Sequence, residues 1–271
     1  MEKKVILITG ASSGIGLSTA IQLMNKGYRV YAASRSGGEN STSKNGGEII
    51  STKMNVNSEE EIKKVLDEIL EQNGHLDAVI SNAGNGIAGS IEDTSIEEAK
   101  YQFETNFFGA VRVIQACLPI FRKQGYGKII ATSSVAAIVP IPFQAFYSAS
   151  KAALLIFMQA LDMETKPFGI QCSTILPGDT KTNFTSARKY TAASQSTESV
   201  YYEKMKKAVG KMEKDEQNGM PADAIAKAIV KQIVHKSMKA IVVPGFQYQV
   251  ICWLFNRLPV KFRLKVVSML Y

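Results

Sequence analysis

Tyr147 and Lys151 stand four residues apart within AFYSASKAALL, residues 145–155. On a helix, side chains at this spacing lie on one face, one turn apart. A phenol with its ordinary pKa of about 10 is a poor base at neutral pH. A neighbouring ammonium stabilises the phenolate and lowers that pKa, so such a pair can act as an acid or a base. By itself, however, the spacing predicts only that the two side chains are adjacent.

A glycine-rich stretch, TGASSGIG at residues 9–16, follows the apolar run KVILIT at residues 4–9. Its glycines permit a tight turn and a close backbone approach, and the helix that follows offers free N–H groups to a pyrophosphate. The GxxxGxG spacing differs from the GxGxxG dinucleotide fingerprint. We therefore predict a phosphate loop for a nucleotide. Its binding residues are Gly10, Ser12, Ser13, Gly14, Ile15 and Gly16.

The end of the second predicted strand indicates which dinucleotide binds. Folds that prefer NAD place an acidic residue there, where it accepts a hydrogen bond from the ribose 2′-hydroxyl. This chain has Ser34 and Arg35 instead. A guanidinium can bind a 2′-phosphate through charge-assisted hydrogen bonds, whereas a carboxylate would repel it. We predict NADP(H) as the cofactor, with NAD(H) the weaker ligand; the alternative is that Arg35 is only a solvated surface residue.

Short apolar runs alternate with longer segments of helical periodicity. The runs lack polar alternation, as expected for strands buried on both faces of a parallel sheet. The predicted strands are residues 4–9, 29–34, 48–54, 76–82, 127–134, 170–177 and 239–245. The predicted helices are residues 16–27, 58–74, 95–125, 145–169 and 221–236. This order predicts an α/β fold: a single Rossmann-type domain with a doubly wound parallel sheet of about seven strands.

Composition argues against several other classes of protein. The chain has 271 residues and a formal net charge of +8, but its basic residues form no block typical of nucleic-acid binding before the C-terminus. Neither His75 nor His235 belongs to a metal-ligand motif, so we expect no metal. Three widely separated cysteines fit a reducing compartment and a cytoplasmic location. No apolar run is long enough to span a membrane, and we expect no leader peptide.

Six motifs, in order, resemble those of the short-chain dehydrogenase/reductase family. They are TGASSGIG, SNAG at 81–84, ETNFFG around Asn106, the serine pair 133–134, YSASK at 147–151 and PGDTKT at 177–182. The resemblance extends over residues 4–245. Residues 87–125 and 146–154 are most similar to the hydroxysteroid and retinol dehydrogenase branch.

The resemblance implies a catalytic set of Asn106, Ser134, Tyr147 and Lys151. Tyr147 would exchange a proton with the substrate oxygen as hydride moves, and Lys151 would also bind the nicotinamide ribose. Ser134 would hydrogen-bond the carbonyl oxygen, although the adjacent Ser133 is a second candidate. Asn106 would hold a water in a proton relay. A buried, hydrogen-bonded asparagine without that role is the alternative.

The resemblance also implies cofactor contacts beyond the phosphate loop. Family members usually carry an acidic residue near adenine at the end of the third strand, whereas this chain has Asn55 followed by Val56. Because the Asn55 amide can still hydrogen-bond, both residues stay in the expected cofactor set. The residues expected under the adenosine and beside the nicotinamide are Asn82, Ala83, Gly84, Pro177, Gly178, Thr180 and Thr182.

Residues 135–146, between Ser134 and Tyr147, carry no charge. Together with residues 85–90 and 183–205 they would line the substrate side, and an apolar wall favours a hydrophobic substrate. We predict an NADP(H)-dependent oxidoreductase that interconverts a carbonyl and a secondary alcohol on a steroid-, retinoid- or lipid-like molecule. Two alternatives stay open, a 3-oxoacyl-thioester reductase and a non-catalytic dinucleotide-binding sensor or scaffold. The intact catalytic set favours an enzyme.

Residues 1–246 are predicted to form the NADP(H)-binding oxidoreductase domain, including a polar, lid-like insert near residues 180–220. Residues 247–271 form an amphipathic C-terminal extension in which apolar and basic residues are interleaved. This extension could rest on an anionic membrane surface, cover the substrate cleft or pack between subunits. Because oligomers are usual in the family that the chain resembles, we expect a homodimer or homotetramer.

Overall fold

The computed structural model describes residues 3–271 and contains one large sheet and two short strand pairs. The strands are β1 Val5–Thr9, β2 Arg29–Ser34, β3 Ser41–Thr42, β4 Glu48–Lys53, β5 Ala78–Ser81, β6 Ile87–Ala88, β7 Gly127–Thr132, β8 Ile170–Ile175, β9 Thr180–Lys181, β10 Lys189–Tyr190, β11 Met220–Pro221 and β12 Ile241–Val242. The helices are α1 Gly14–Met24, α2 Glu59–Asn73, α3 Ile96–Phe103, α4 Ala110–Gln124, α5 Ala145–Thr165, α6 Tyr202–Gln217, α7 Ala222–Val234, α8 Phe246–Arg257 and α9 Val260–Leu270.

The large sheet has the strand order β12-β8-β7-β5-β1-β2-β4-β3. All its neighbours pair in parallel except β3, which runs antiparallel to β4 at the edge. From β1 the chain first builds toward β4 and then returns to build from β5 toward β12. The gap between β1 and β5 at their carboxyl ends is the switch point where such sheets bind ligands. The predicted doubly wound sheet is confirmed.

Helices cover both faces of the sheet, which explains why its strands lack polar alternation. Within β1, Val5 and Leu7 pack on one face beneath α2, α4 and α5. Ile6 and Ile8 pack on the other face beneath α1 and α7. Each of these four side chains is at most 1% exposed. Because adjacent strand residues point to opposite faces, a strand covered twice must be apolar throughout.

The prediction of one helix over residues 95–125 is wrong. A π-helical segment, Glu104–Gly109, separates α3 from α4. A π-helical turn has hydrogen bonds between residues i and i+5, so it accommodates one residue more than an α-helical turn. The side chains that follow it are therefore rotated about the helix axis. The turn contains Asn106, a position that sequence had assigned to the site. Such turns are frequent at functional sites.

The polar segments contain more regular structure than their composition indicates. Residues 36–48, a polar stretch between the second and third predicted strands, include the edge strand β3. The lid-like insert near 180–220 includes three short strands and the amphipathic helix α6, whose buried face is Met205, Ala208, Val209 and Met212. The C-terminal extension forms α8 and α9. Among residues 3–271, no helix is long and apolar enough to cross a membrane.

Candidate active site

The phosphate loop lies between the end of β1 and the start of α1. Gly10 has a φ of 66°, and a Cβ there would lie 2.7 Å from the Ala83 Cα. A Cβ on Gly16 would lie 2.3 Å from the Gly10 carbonyl oxygen, so α1 packs directly on the loop. Ser13, the N-cap residue of α1, makes no side-chain capping bond. The first N–H groups of α1 can therefore serve an external anion.

The other residues predicted for the loop are placed around it. Ser12 is exposed, while Ile15 packs against the core on the α1 side of the sheet. Asn82 and Ala83 hold the loop against the end of β5. Asn82 Nδ2 donates to the carbonyl oxygens of Thr9 and Gly10, each at 3.2 Å. The Asn82 side chain therefore shapes the loop from beneath and is not directed at a ligand.

The end of β2 presents a free cation at the same edge of the sheet. Ser34 Oγ donates to the Gly37 carbonyl at 3.1 Å, whereas Arg35 is exposed and makes no ion pair within the described residues. At the end of β4, Asn55 Oδ1 accepts from the Asn57 N–H at 3.1 Å, and Val56 is buried in the core. A guanidinium at the same sheet edge as uncapped helix amides suits a ligand with two phosphate groups.

Tyr147, Ser134 and Lys151 converge beyond the carboxyl end of β7. Tyr147 and Lys151 lie on α5, with the Lys151 Nζ 5.9 Å from the centroid of the Tyr147 ring. The Ser134 hydroxyl lies close enough to the phenol to lower its pKa, and its Oγ donates to the Pro177 carbonyl at 3.4 Å. Lys151 is buried, and its Nζ donates to the Thr132 carbonyl at 2.9 Å. The structure thus brings the hydroxyl, the phenol and the amine into one cluster.

Burial determines the pKa of both ionisable groups in this cluster. It raises the pKa of Tyr147 to about 12, and the nearby Ser134 hydroxyl lowers that pKa by less. Burial also lowers the pKa of Lys151 to about 8. The expectation that Lys151 brings the phenol pKa below 10 is therefore wrong for this structure. Desolvation dominates the pKa of Tyr147, and the Lys151 amine donates its hydrogen bond to the Thr132 carbonyl.

The two adjacent serines have different environments. Ser133 is buried, and its Oγ donates to the Lys151 carbonyl at 2.7 Å within the protein. Ser134 is half-buried and faces Tyr147, while its Oγ accepts from the Ala136 N–H at 3.1 Å. The backbone beyond it is held by Pro177, whose carbonyl accepts from the Val135 N–H at 2.9 Å. Of the two, Ser134 is the one placed to meet a substrate.

Asn106 is fully buried in the π turn and anchors the neighbouring loop. Its Oδ1 accepts from the Asn85 N–H at 2.8 Å, and its Nδ2 donates to the Asn85 carbonyl at 2.9 Å. A Cβ on Gly84 would lie 3.3 Å from Asn106 Oδ1 and 3.5 Å from Lys151 Nζ. Asn106 therefore borders Lys151 across a glycine, and both of its amide atoms are already bonded to the backbone.

The loop after β8 reaches across to the phosphate loop. Thr180 Oγ1 donates to the Gly178 carbonyl at 2.8 Å, and Thr182 Oγ1 accepts from the Phe184 N–H at 3.2 Å. The Thr182 Cβ lies 3.3 Å from where a Cβ on Gly14 would be. The predicted cofactor residues on the two loops therefore lie next to one another, beside the Tyr147 cluster.

Tyr248 supports this loop and was not predicted from the sequence. A Cβ on Gly178 would lie 2.2 Å from its Cε1, so the ring packs flat on the glycine. Its hydroxyl accepts from the Asp179 N–H and donates to Asp179 Oδ2, both at 3.0 Å. The contact ties α8, which belongs to the C-terminal extension, to the loop beside the cleft.

The lid-like insert covers Tyr147 with an aromatic ring, another feature that the sequence did not single out. The Phe184 and Tyr147 ring centroids are 5.6 Å apart. On its other side Phe184 approaches Gly86, where a Cβ would lie 2.8 Å from the Phe184 Cζ. Only glycine at position 86 leaves room for the Phe184 ring. Because the ring can then pack against Tyr147, it removes water from around the Tyr147 phenol.

A buried ion cluster holds the insert in place. The Arg188 guanidinium is 0% exposed and pairs with Glu216 of α6, and Glu213 Oε1 lies 3.7 Å from its Nη1. With the Gln144 amide oxygen facing the guanidinium, Gln144 accepts from Arg188 Nε at 2.9 Å. The guanidinium also lies 5.8 Å from the Phe184 ring centroid. Arg188 therefore links the aromatic cover to α6 and to the start of α5.

Replacing this cation should destabilise the protein substantially. Arg188→Met leaves Glu216 partly buried without its partner, and breaking a buried pair costs about 3 kcal/mol or more. We expect Tm to fall by roughly 6 to 12 °C in a thermal melt. The matched control is Lys63→Met, which removes an exposed pair with Asp67 and should leave Tm unchanged. An equal fall in both variants would contradict a special role for Arg188.

No group of three or more metal-ligating side chains is present in the described chain.

The model of the family described as short chain dehydrogenase matches residues 4–193. A 3-ketodihydrosphingosine reductase from Bacteroides thetaiotaomicron is 37% identical over 237 residues, which cover 88% of this chain and 86% of that protein. Retinol dehydrogenase 8 from Homo sapiens is 35% identical over 190 residues, which cover 67% of this chain and 60% of that protein.

The fold comparison agrees. A crystal structure of a short chain dehydrogenase/reductase from Burkholderia phymatum, in complex with NAD, superposes with a TM-score of 0.79 and 21% identity, covering 93% of this chain and 92% of that one. This likeness shows the Rossmann-type fold. With the family match over most of the chain, it establishes that the protein belongs to the short-chain dehydrogenase family of oxidoreductases.

Proposed function

We propose that this protein is an NADP(H)-dependent reductase of hydrophobic, lipid-like ketones, with Tyr147 as its acid. The observation that carries the proposal is the convergence of Tyr147, Ser134 and Lys151 in one cluster. The Ser134 hydroxyl lies close enough to the phenol to lower its pKa, and the Lys151 Nζ is 5.9 Å from the ring centroid. A binding protein without catalysis has no chemical need for this combination.

Each side chain has a separate role in the proposed reaction. Ser134 donates a hydrogen bond to the ketone oxygen and holds it against the phenol. The reduced nicotinamide, when bound, supplies the hydride. Tyr147, which is protonated at neutral pH because its pKa is about 12, donates its proton to that oxygen. Lys151, whose Nζ lies 5.9 Å from the Tyr147 ring centroid, would bind the ribose of the nicotinamide.

Asn106 is proposed to position this machinery and to border a proton path at Lys151. Its two bonds to Asn85 fix the strand-to-helix loop, and Gly84 leaves the space between Asn106 and Lys151 open. A carboxamide fully bonded to the backbone cannot itself exchange protons. Asn106 can instead hold the Asn85 backbone, at which a water of the proton path would bind.

The preference for NADP(H) rests on Arg35. It is the exposed cation at the end of β2, and it lies at the same sheet edge as the phosphate loop, since Thr9 of β1 pairs with Ala33 of β2. No acidic residue at the end of β2 is present to accept from a ribose 2′-hydroxyl. The other predicted cofactor contacts belong to the same proposal: Gly10, residues 12–16, 55–56 and 82–84, Pro177, Gly178, Thr180 and Thr182.

Arg35→Asp should reverse the cofactor preference. The change removes a phosphate-binding cation and introduces a carboxylate that repels a 2′-phosphate. We expect the ratio of kcat/KM for NADPH to that for NADH to fall by roughly 100-fold, equivalent to about 2.7 kcal/mol. The ratio is measured by steady-state kinetics with both cofactors. Lys64→Asp, the same charge change at an exposed site on α2, is the control; an unaltered ratio in Arg35→Asp would overturn the assignment.

Apolar side chains support a hydrophobic substrate. Ile138 and Val139, in the uncharged stretch before Tyr147, pack with Tyr248, and Phe143 packs with Met205 of the insert. Phe184 covers the phenol itself. The name of the Bacteroides relative supports a long-chain ketone among such substrates. We propose that residues 1–246 form the oxidoreductase domain and that residues 180–220 act as its lid.

Ketone-dependent oxidation of NADPH by the purified protein tests this function. The panel contains a long-chain 3-keto amine, a steroid ketone, retinal and a 3-oxoacyl thioester. We expect the highest kcat/KM with the long-chain ketone. A preference for the thioester would replace the substrate class. Tight NADPH binding without oxidation by any member would indicate a dinucleotide-binding sensor and overturn the proposal.

We also propose a homo-oligomer, a dimer or tetramer, in a reducing compartment such as the cytoplasm. Phe108, Ile156 and Met163 are exposed apolar side chains on the π turn and α5, and a partner subunit would cover them. Cys117, Cys172 and Cys252 are free and buried, as suits a reducing compartment. A monomer mass by light scattering would contradict the oligomer.

A further inference from the structure

Helices α8 and α9 carry a dense apolar surface. Of the 25 large hydrophobic side chains that are exposed in the described chain, eleven lie between residues 246 and 270. Phe246, Trp253 and Met269 expose 80%, 54% and 71% of their surface. Globular proteins scatter such residues singly, so this concentration indicates a surface that contacts something apolar.

The two helices are fixed to the protein by their opposite faces. Tyr248, Cys252 and Phe255 of α8 are buried, at helical spacing. Arg263 of α9 donates from Nη1 to the Phe255 carbonyl at 2.5 Å, and its guanidinium lies 4.7 Å from the Phe255 ring centroid. Val267 is the buried residue of α9. The apolar surface therefore belongs to an ordered amphipathic element that has one face in the protein and one outside.

Basic side chains accompany the outer face. Arg257, Lys261 and Lys265 are exposed, and residues 246–271 contain no Asp or Glu. The Arg257 guanidinium stacks 4.2 Å from the centroid of the Trp253 ring. Aromatic rings with cations on long stems suit the boundary between lipid headgroups and acyl chains.

We propose that the outer face of α8 and α9 is a membrane-binding surface that lies on anionic lipid bilayers. Phosphate headgroups supply the negative charge that this segment lacks, and acyl chains cover its apolar side chains. A second copy of the chain suits the face less well. A two-fold axis would bring the face onto itself, so the three exposed cations Arg257, Lys261 and Lys265 of each copy would meet without a carboxylate from either extension.

The proposed surface adjoins the candidate active site. Tyr248, on the inner side of α8, packs on Gly178 of the loop beside the cleft. The end of α9 reaches the lid helix, where the Lys211 Nζ lies 5.6 Å from the Tyr271 ring centroid. Docking on a bilayer would thus bring the lid and the cleft to the lipid, which, resting on the proposed function, suits a ketone that partitions into membranes.

Co-sedimentation with vesicles tests the surface without any need for catalysis. The full chain is mixed with vesicles of phosphatidylcholine alone and of phosphatidylcholine with phosphatidylglycerol. We expect it to pellet with the anionic vesicles and to be released by high salt. Lys261→Glu/Lys265→Glu should weaken this binding by more than about tenfold. The matched control, Lys26→Glu/Lys64→Glu, makes the same change of net charge at exposed sites on the body of the protein and should bind as the unaltered chain does.

Three results would overturn the proposal. The first is no pelleting of the full chain with anionic vesicles. The second is equal loss in the control pair, which would show that net charge alone governs binding. In the third, light scattering shows that Trp253→Ser/Phe262→Ser converts an oligomer to a monomer, while the unaltered chain does not bind vesicles. A second copy of the chain would then be what covers the face. Both altered residues are exposed, and a thermal melt checks that each variant is folded.

Discussion

Tyr147→Phe is expected to reduce turnover more than about a thousandfold, while the affinity for NADPH stays within about twofold of the unaltered value. The change removes one hydroxyl and keeps the ring, so the packing against Phe184 at 5.6 Å is preserved. Ser134 keeps its bond from the Ala136 N–H. Only the proton donor is lost. Ketone-dependent NADPH oxidation measures turnover, and fluorescence titration measures cofactor affinity.

Tyr190→Phe is the matched control for this experiment. Tyr190 lies in the insert that covers Tyr147, and burial raises its pKa, like that of Tyr147, to about 12. Its hydroxyl, however, bonds to Glu213 at 2.9 Å and is not bonded to Ser134. Turnover should be retained, because a high phenol pKa alone does not make an acid. If Tyr147→Phe retained full turnover, the proposed chemistry would have to be abandoned.

The architecture was predictable because the sheet is covered twice. Because Val5 and Ile6 are buried on opposite faces of the sheet, every residue of such a strand must be apolar. A short run of consecutive apolar residues between amphipathic helices is easily recognised in the sequence. The edges of the fold carry a weaker signal. The strand Ile241–Val242 is only two residues long, and β3 lies within a polar stretch, so its pairing with β4 depends on tertiary contacts.

The π turn at Asn106 was not predictable from periodicity. Residues 95–125 show one helical pattern, and a single widened turn changes the phase without interrupting it. Its cause is tertiary: the Asn106 side chain pairs with both backbone groups of Asn85, a residue 21 positions away. The family motif identified the residue, whereas its geometry depends on a loop that the local sequence does not describe.

In the site, adjacency was predictable and protonation was not. The i, i+4 spacing placed Tyr147 beside Lys151, but the pKa of each depends on what covers it. That cover comes from Phe184 and from the ion pair of Arg188 with Glu216, all within a polar segment that reads as a loop. A buried arginine cannot be told from an exposed one by composition. Its partner lies 28 residues further along the chain.

Lys151→Met should separate stability from activity. In the unfolded chain the amine has its ordinary pKa of 10.5, and burial lowers that pKa to about 8 in the folded protein. Carrying the charge at neutral pH therefore costs about 3 kcal/mol. Methionine removes this penalty but leaves the Thr132 carbonyl without its donor, a loss of roughly 1–2 kcal/mol. We expect Tm to rise by roughly 2 to 6 °C while turnover falls more than about 100-fold.

Burial of the Lys151 charge also predicts how the free energy of unfolding changes with pH. Between pH 8 and 10.5 the unfolded chain binds the Lys151 proton and the folded protein releases it, so stability gains from rising pH in that window. Below pH 8 both states are protonated, and the penalty is constant. Lys151→Met should lose this gain in stability at high pH.

Lys128→Met is the control for this variant. It removes the donor to the His235 and Ile233 carbonyls away from the site, so it should lower Tm and keep turnover. A lower Tm in Lys151→Met would show that its hydrogen bond outweighs the burial of its charge.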